Sequence, residues 1–433
     1  VTEPKSPLQI ADFRLLWLAR FATVLATTGM VVILGYQLYD VARSDYGMSI
    51  SGAAFQLGIL GLAQFLPMLL LTPFAGVAAD RFDRRIVAGL ALGVDVAIAL
   101  TLAYATYSGA ITLPLIYVLA SLHGAARVFV GPALTSMTAN IVPAGLMPRA
   151  IAISSFSWQA GMMGGPAMAG VLYAARPDAP YWIAAALLSI SVISTIAIRR
   201  LPPSETSRDQ HPVRQVVEGF RYVRNERFLL GCITLDLFAV LLGGATALLP
   251  VFARDILHVG PEGLGVMRAM PALGAALVAL VFSVRPLTRN VGAMMLLGVA
   301  GYGLATVGFG LSRDFILSLG FLVALGASDM VSVFVRSSLV QLNTPDAVRG
   351  RVSAISGLAI SASNELGEMQ SGIAAVLLGA TGAVVFGGVG AIFVTITWAI
   401  MFPELRNART FAPQYRNAQS PESSPSGNRR HES

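Results

Sequence analysis

The sequence predicts an all-α integral membrane protein of twelve transmembrane helices, arranged as two pseudo-symmetric bundles of six. Three observations predict it. The chain of 433 residues is 55% hydrophobic and only 12% charged, with a mean hydropathy of +0.69, whereas a soluble domain carries about 25% charge. The apolar residues fall in continuous runs near the ~20 that a helix needs to cross the hydrocarbon core, unlike the short alternating segments of a membrane barrel. The second half of the chain also repeats part of the first at one fixed offset.

In chain order the spans lie at about 14–39, 53–77, 86–108, 112–135, 150–174, 181–198, 229–252, 263–284, 291–311, 316–340, 352–378 and 383–402. The first run is long, lacks an obvious small-residue cleavage site and is followed by another span, so it is expected to be a helix rather than a cleaved signal. The 43 glycines suit helices that approach closely in lipid. Six spans precede the longest polar break and six follow it. Within that break Val213, Val216, Val217 and Phe220 recur at helical spacing among Arg214, Arg221 and Arg224. This is the pattern of a helix lying on the membrane face, with a solvated linker helix as the plainer alternative. From Pro403 the chain is polar and rich in Ser, Pro and Asn, the composition of a disordered tail. The expected division is 1–198 for the N-terminal bundle, 199–228 for a cytoplasmic linker, 229–402 for the C-terminal bundle and 403–433 for a cytoplasmic tail.

The repeat appears at an offset of 202 residues, which lays 124–154 on 326–356. Gly124 meets Gly326, Ser136 meets Ser338, Pro143 meets Pro345, Arg149 meets Arg351, and Ala152, Ile153 and Ser154 meet Ala354, Ile355 and Ser356. Apolar composition alone does not readily match a loop proline and a loop arginine at one offset. Parallel halves of six helices are a transporter design, with the substrate held between them near mid-membrane.

A net charge of +7 and a pI near 9.8 raise nucleic acid as a partner, but the placement of the charge argues against it. Arginines crowd the loops of one side, among them Arg81, Arg84, Arg85, Arg149, Arg199, Arg200, Arg285, Arg289, Arg349 and Arg351, while the other side holds Arg43, Arg176, Arg254 and Arg313. That asymmetry puts both termini in the cytoplasm and the basic side against anionic headgroups of the cell membrane. The single cysteine, Cys232, permits no intrachain disulfide. No Cys/His cluster suits a metal, no phosphate-binding loop points to ATP, and no large soluble domain offers room for catalysis. No enzyme activity and no cofactor are expected.

One short loop concentrates charge between two apolar runs: "GVAADRFDRR", residues 76–85. Gly76 permits close helix approach, Asp80 suits a helix N-terminus, and Arg81, Arg84 and Arg85 are placed to pair with it or with phosphates. A charged clasp of this kind holds one conformation and releases in another; a topology signal alone is the alternative. The pattern resembles the loop 2–3 signature of the major facilitator superfamily, Gly-x-x-x-Asp-Arg-x-Gly/Asp-Arg-Arg/Lys, and the resemblance covers nearly the whole chain. It implies the major facilitator fold and a role in cytoplasmic gating for Gly76, Asp80, Arg81, Arg84 and Arg85. The matching loop of the second half, "RPLTRN" at 285–290, lacks the acid.

Two further stretches resemble family signatures. Arg127 followed by Gly131 is similar to an Arg-x-x-x-Gly motif tied to proton coupling, although Val130 stands where glutamine is common. "GMMGGPAMAG", residues 161–170, resembles the antiporter motif of the fifth helix through Gly161, Gly165, Pro166 and Gly170, with a single glycine at its end. Ordinary small-residue packing is the alternative. "FRLLWLARF" (13–21), "EGFRYVRNE" (218–226) and "TPDAVRGRVSAIS" (344–356) are similar to the enterobactin-exporter-like branch of the drug/proton antiporters, which implies an exporter without naming its cargo.

Ionisable groups inside spans are costly and by default functional. Glu365 and Glu368, three residues apart on the eleventh span, share one helix face. Crowded like charges favour the uptake of one proton, which coupling to a proton gradient requires. Asp329 on the tenth span and Arg127 on the fourth hold repeat-equivalent places, so mutual attraction across the cavity is expected. Asp236 on the seventh completes the proposed coupling set. Arg20 and Arg336 lie near helix ends and are expected to reach headgroups. Asp95 is expected to pair with a nearby helix, His123 to be satisfied by packing, and Arg268 to pair with Glu262 or Asp255. Phe65, Phe129, Trp158 and Phe238 are candidates for an apolar cavity wall. The leading expectation is a monomeric, proton-coupled exporter of a small amphiphilic molecule such as a drug or siderophore. An importer or facilitator on the same fold, and a non-transporting membrane receptor or scaffold, are the alternatives.

Overall fold

The computed structural model describes residues 6–200, 212–285 and 287–411. The side chains of some helical residues, Gly76, Asp80, Arg81, Val213, Arg214 and Val216 among them, also lie outside the described residues. In chain order the helices are α1 Ala11–Ser44, α2 Ile50–Arg81, α3 Arg84–Tyr107, α4 Leu113–Ile141, α5 Met147–Ala175, α6 Ala179–Ala197, α7 Pro212–Asn225, α8 Arg227–Leu242, α9 Leu249–Val251, α10 Gly260–Val284, α11 Val291–Leu311, α12 Phe315–Leu342, α13 Asp346–Met401 and α14 Pro403–Arg406. Among the described residues there is no strand. A helix satisfies its backbone internally, which hydrocarbon demands.

Helix starts follow the local chemistry. Ser49, Thr112 and Asp314 cap α2, α4 and α12 by accepting from the amides of Gly52, Leu115 and Leu317 at 3.1, 3.4 and 2.8 Å. Prolines occupy the first turns of α4, α5, α6 and α10, where a missing N–H costs nothing. Ten described segments are long and apolar enough to cross a membrane, with Arg227–Ile256 acting as one broken span. α5 has 29 residues, and α13 is two passes divided at Gly379, whose φ of 73° is the left-handed conformation that glycine tolerates. Counted this way, the described residues are consistent with twelve passes. Successive passes run antiparallel, so the start of α1 and the end of α6 share one side, where the Arg199 amide donates to Asp12 Oδ1 at 3.2 Å.

The repeat is a spatial one. Gly124 brings α4 onto the backbone of α2 at Gln64, and Gly326 brings α12 onto the backbone of α10 at Pro271; neither site has room for a Cβ. The two halves touch through α2 on α13 and α5 on α10. One buried apolar cluster fills the N-terminal half and continues into the C-terminal half on the side away from the termini, and a second belongs to the C-terminal half.

The seventh span breaks after α8, at Gly243 and Gly244. A break in a membrane helix frees carbonyls that need partners, and side chains supply them. Tyr302 donates to Gly243 O at 2.7 Å, Ser371 to Gly244 O at 3.1 Å and Arg268 to Thr246 O at 3.1 Å. The expected pairing of Arg268 with Glu262 or Asp255 is therefore replaced by a carbonyl.

The linker helix α7 is not simply solvated. Val223 is buried, Gly219 lies against the Arg351 backbone of α13, and Glu218 pairs with Arg351 at 2.9 Å, while Val217 and Phe220 stay exposed. The boundary drawn at residue 402 also moves. Leu405 of α14 is fully buried, and the Gly292 amide donates to Ala408 O at 3.0 Å. The tail's first residues are thus built into the C-terminal half because they carry apolar side chains and a partner for the start of α11. Residues 412–433 lie outside the described residues.

Candidate functional site

The halves meet mid-chain through an ion pair. Arg127 of α4 reaches Glu365 of α13, with Nη1 3.2 Å from Oε1. One turn on, the Glu368 carboxylate rests against Gly61 of α2, where a Cβ would lie 2.9 Å from Oε2. Among the described residues Glu368 makes no hydrogen bond or ion pair. The two glutamates share a helix face as expected but are engaged differently. Glu365 binds across the boundary, whereas Glu368 faces a small cavity of about 50 Å³ with Gln64, Thr246 and Arg268, room for very few waters.

The expected attraction between Arg127 and Asp329 is not the contact made. α12 packs on α10 and α11, which keeps Asp329 within its own half, so the acid available to Arg127 is on α13. Asp329 instead lies within electrostatic range of Asp236 and Arg336 and makes no hydrogen bond or ion pair among the described residues. Arg336 does not reach the headgroups either. It is 3% exposed and its Nη1 stands 3.1 Å from Oδ2 of Asp236, itself 5% exposed. Breaking such a buried pair leaves an uncompensated charge and typically costs about 3–5 kcal/mol. The sequence could not show this because the partners are brought together only by α8 and α12. His123 Nδ1 and Asp95 Oδ1 pair at 2.8 Å, both buried, so the two expectations for those residues meet in one contact.

A cavity of about 1170 Å³ opens between the halves on the side of the termini. Arg20 is the one charged residue among its described lining; Thr135, Ser154 and Gln159 add hydroxyl and amide groups, and Phe156, Trp158 and Met163 add apolar surface. Of the aromatic candidates Trp158 lines it. Phe65 is buried, Phe129 packs on the large core, and Phe238 lies 5.3 Å from the Trp398 ring. Phe156 was missed, since nothing in its sequence context sets it apart from other apolar helix residues.

In the loop of residues 76–85, the predicted Asp80, Gly76 and Arg81 have side chains outside the described residues. The acid that the structure shows at work is Asp83, three residues beyond Asp80. Asp83 caps α3, accepting from the Arg85 amide at 3.0 Å and from Arg85 Nη2 at 2.7 Å, while Arg85 Nη1 donates to Ile198 O at 2.5 Å. The Arg85 side chain holds the Asp83 carboxyl below its usual range. An aspartate directly before "RRIV" is an N-cap signal that was available.

The fifth-helix glycines divide between two contacts. Gly161 and Gly165 pack on α1 at Val24 and Thr28, inside the N-terminal half. Gly170 meets Gly265 and Pro261 of α10, and the Pro166 carbonyl lies against Gly265, across the boundary. Small residues let backbones touch where lipid offers no hydrophobic drive.

The chain matches known proteins over most of its length. The chain matches the transmembrane secretion effector family across residues 2–423. It is 27% identical over 412 residues to the enterobactin exporter EntS of Escherichia coli O9:H4, covering 93% of this chain and 94% of that protein. It is 27% identical over 416 residues to the EntS of Citrobacter koseri, with the same coverage. In fold it resembles a bacterial homolog of the human lysosomal transporter Spinster, solved in an inward-facing and occupied conformation, with a TM-score of 0.72 at 12% identity, covering 92% of this chain and 98% of that one. It also resembles the nucleoside transporter NupG, with a TM-score of 0.68 at 13% identity, covering 90% of this chain and 99% of that one. With twelve passes, a spatial repeat, a cavity between the halves and a family match along nearly its whole length, the chain is a membrane transporter rather than an enzyme, and it belongs to the transmembrane secretion effector family of the major facilitator superfamily.

Proposed function

We propose that this protein exports a small amphiphilic molecule across the cell membrane in exchange for protons, as a monomer with both termini in the cytoplasm. The observation that carries the reading is the pair Glu365 and Glu368 at the boundary between the halves, one held by Arg127 and the other without an ion partner among the described residues. An uncompensated carboxylate in a low-dielectric setting is costly, and a proton relieves that cost. Protonation of Glu365 would likewise release Arg127 and loosen the join between the halves. A cavity with apolar and hydroxyl-bearing walls suits cargo of mixed polarity. The direction is supported by the relatives named as enterobactin exporters, which makes a siderophore one cargo to try first. Gating by Gly76, Asp80, Arg81, Arg84 and Arg85 belongs to the same proposal, with the basic loops lying against anionic lipid headgroups.

The test is transport in inverted vesicles. A deletion strain is first screened for siderophores, macrolides and dyes that it retains, and uptake of each hit into inverted vesicles is followed with and without an imposed proton gradient. Export by proton exchange predicts uptake only with the vesicle interior acid. Uptake that ignores the gradient, or that reverses with it, supports the facilitator or importer instead.

A further inference from the structure

On the side away from the termini, the end of α1 meets the π turn Phe252–Ile256 that closes the seventh span. Four charges converge there, an acid and a base from each half, and they pair crosswise. Arg254 Nη1 stands 2.9 Å from Asp40 Oδ1, and Arg43 Nη2 stands 3.6 Å from Asp255 Oδ1. The Tyr39 hydroxyl donates to Asp255 Oδ2 at 2.5 Å, and Arg254 Nη2 donates to Ser44 Oγ at 3.0 Å. The Arg254 guanidinium also lies 5.9 Å from the centre of the Tyr39 ring. Beneath this cluster Leu249, Val251 and Phe252 are fully buried in the core shared by both halves. The other two arginines assigned to this side stay within their own half, Arg176 on Asp178 and Arg313 on Thr381.

We infer that Asp40, Arg43, Arg254 and Asp255, with Tyr39, form a latch that holds this side of the transporter shut and must part whenever cargo leaves through it. The inference rests on alternating access, not on the identity of cargo or coupling ion. Both ion pairs cross the boundary, so opening on this side breaks both. The four charged members are partly exposed, between 18% and 41% for their side chains, while Tyr39 is buried beneath them. Water therefore resolvates them when they separate, and partly exposed pairs contribute modestly. That makes the latch reversible, in contrast to the buried Asp236–Arg336 pair, which lies within one half. The π turn fits the same reading, since such turns are rare and concentrate at functional sites.

The experiment reads the opening itself. Cys232→Ala removes the native thiol, and spin labels are placed on cysteines at Tyr46 and Glu262, at the ends of α1 and α10 on this side. Distances are measured by pulsed electron resonance in liposomes without cargo or gradient. Asp40→Arg and Arg254→Asp each place like charges together and should lower the short-distance, closed population by about tenfold. The exchanged pair Asp40→Arg/Arg254→Asp should restore it, and Arg43 with Asp255 should behave alike. Single reversals with the wild-type distribution, or an exchanged pair no closer to wild type than the singles, overturn the latch. Should a reversal fail to fold, Asp40→Asn and Tyr39→Phe are read with the same labels, and an unchanged distribution there overturns it equally. Because no transport is measured, a protein that fails the vesicle test can still pass this one.

Discussion

Two seams join the halves, α5 on α10 and α2 on α13, and they are copies of one contact. At the offset of 202, Gly165 and Gly170 of α5 fall on Gly367 and Gly372 of α13; at an offset of 207, Gly58 and Gln64 of α2 fall on Gly265 and Pro271 of α10. Gly170 meets Gly265 in one seam and Gly372 meets Gly58 in the other. The backbone contact is kept while the chemistry is not. Where the first seam has Pro166, the second has Glu368; where the second has Gly61, the first has Arg268. An acid and a base thus occupy related places and line the same small chamber. The difference teaches that close packing belongs to the repeat and charge does not, the second seam carrying the acid and the first the base, so the seams should share a mechanical role and differ in an electrostatic one.

The strongest way to break that comparison is to neutralise the acidic seam. Glu365→Gln with Glu368→Gln is expected to abolish gradient-driven accumulation in proteoliposomes while sparing downhill exchange of a neutral substrate. Proton release on substrate addition, followed with a pH dye, should vanish with it. Equal release from the variant and the wild type would remove both glutamates from the mechanism and shift attention to Asp329 and Asp236.

A smaller effect sharpens the mechanical half. An alanine at Gly170 would place Cβ 2.5 Å from Pro261 O, and one at Gly372 would place it 2.9 Å from Gly58 Cα. Overpacking of this kind costs about 1–3 kcal/mol, and here it acts on the closed seam. Both variants should lower the closed population on the side away from the termini by about tenfold, read with the same spin-label pair. If only one does, the seams are not mechanical equivalents.

The smallest effect lies outside both seams, within the N-terminal half. Asp83→Asn keeps a capping side chain but removes the charge that pairs with Arg85, and should lower stability by about 0.5–1 kcal/mol, measured by thermal unfolding in detergent. Its pH dependence has a definite sign. The folded-state pKa of Asp83 is depressed by Arg85, so the stabilisation is fully present above the unfolded aspartate value near ~4. It is lost as pH falls through the lower folded value. The gap in Tm between wild type and Asp83→Asn should be full at ~pH 6 and shrink below ~pH 4.

The sequence by itself determined the class, the positions of the passes, the repeat and the list of charged candidates. It did so because hydrocarbon leaves a chain few options: a backbone that must satisfy itself locally becomes a helix, and its length is set by membrane thickness. Gly170 and Pro166 were legible as a close-approach motif, and Asp83 was legible as a cap although it was passed over. Only the tertiary structure decided which charge meets which. Arg127 chose Glu365 over Asp329, 238 residues along the chain; Arg336 turned inward to Asp236; Arg268 went to a carbonyl freed by a broken helix; and Arg254 crossed to Asp40. Helical periodicity names the face on which a side chain sits, but pairing depends on which helix packs opposite and at what height, and those are set by small residues that permit contact rather than by the charges themselves.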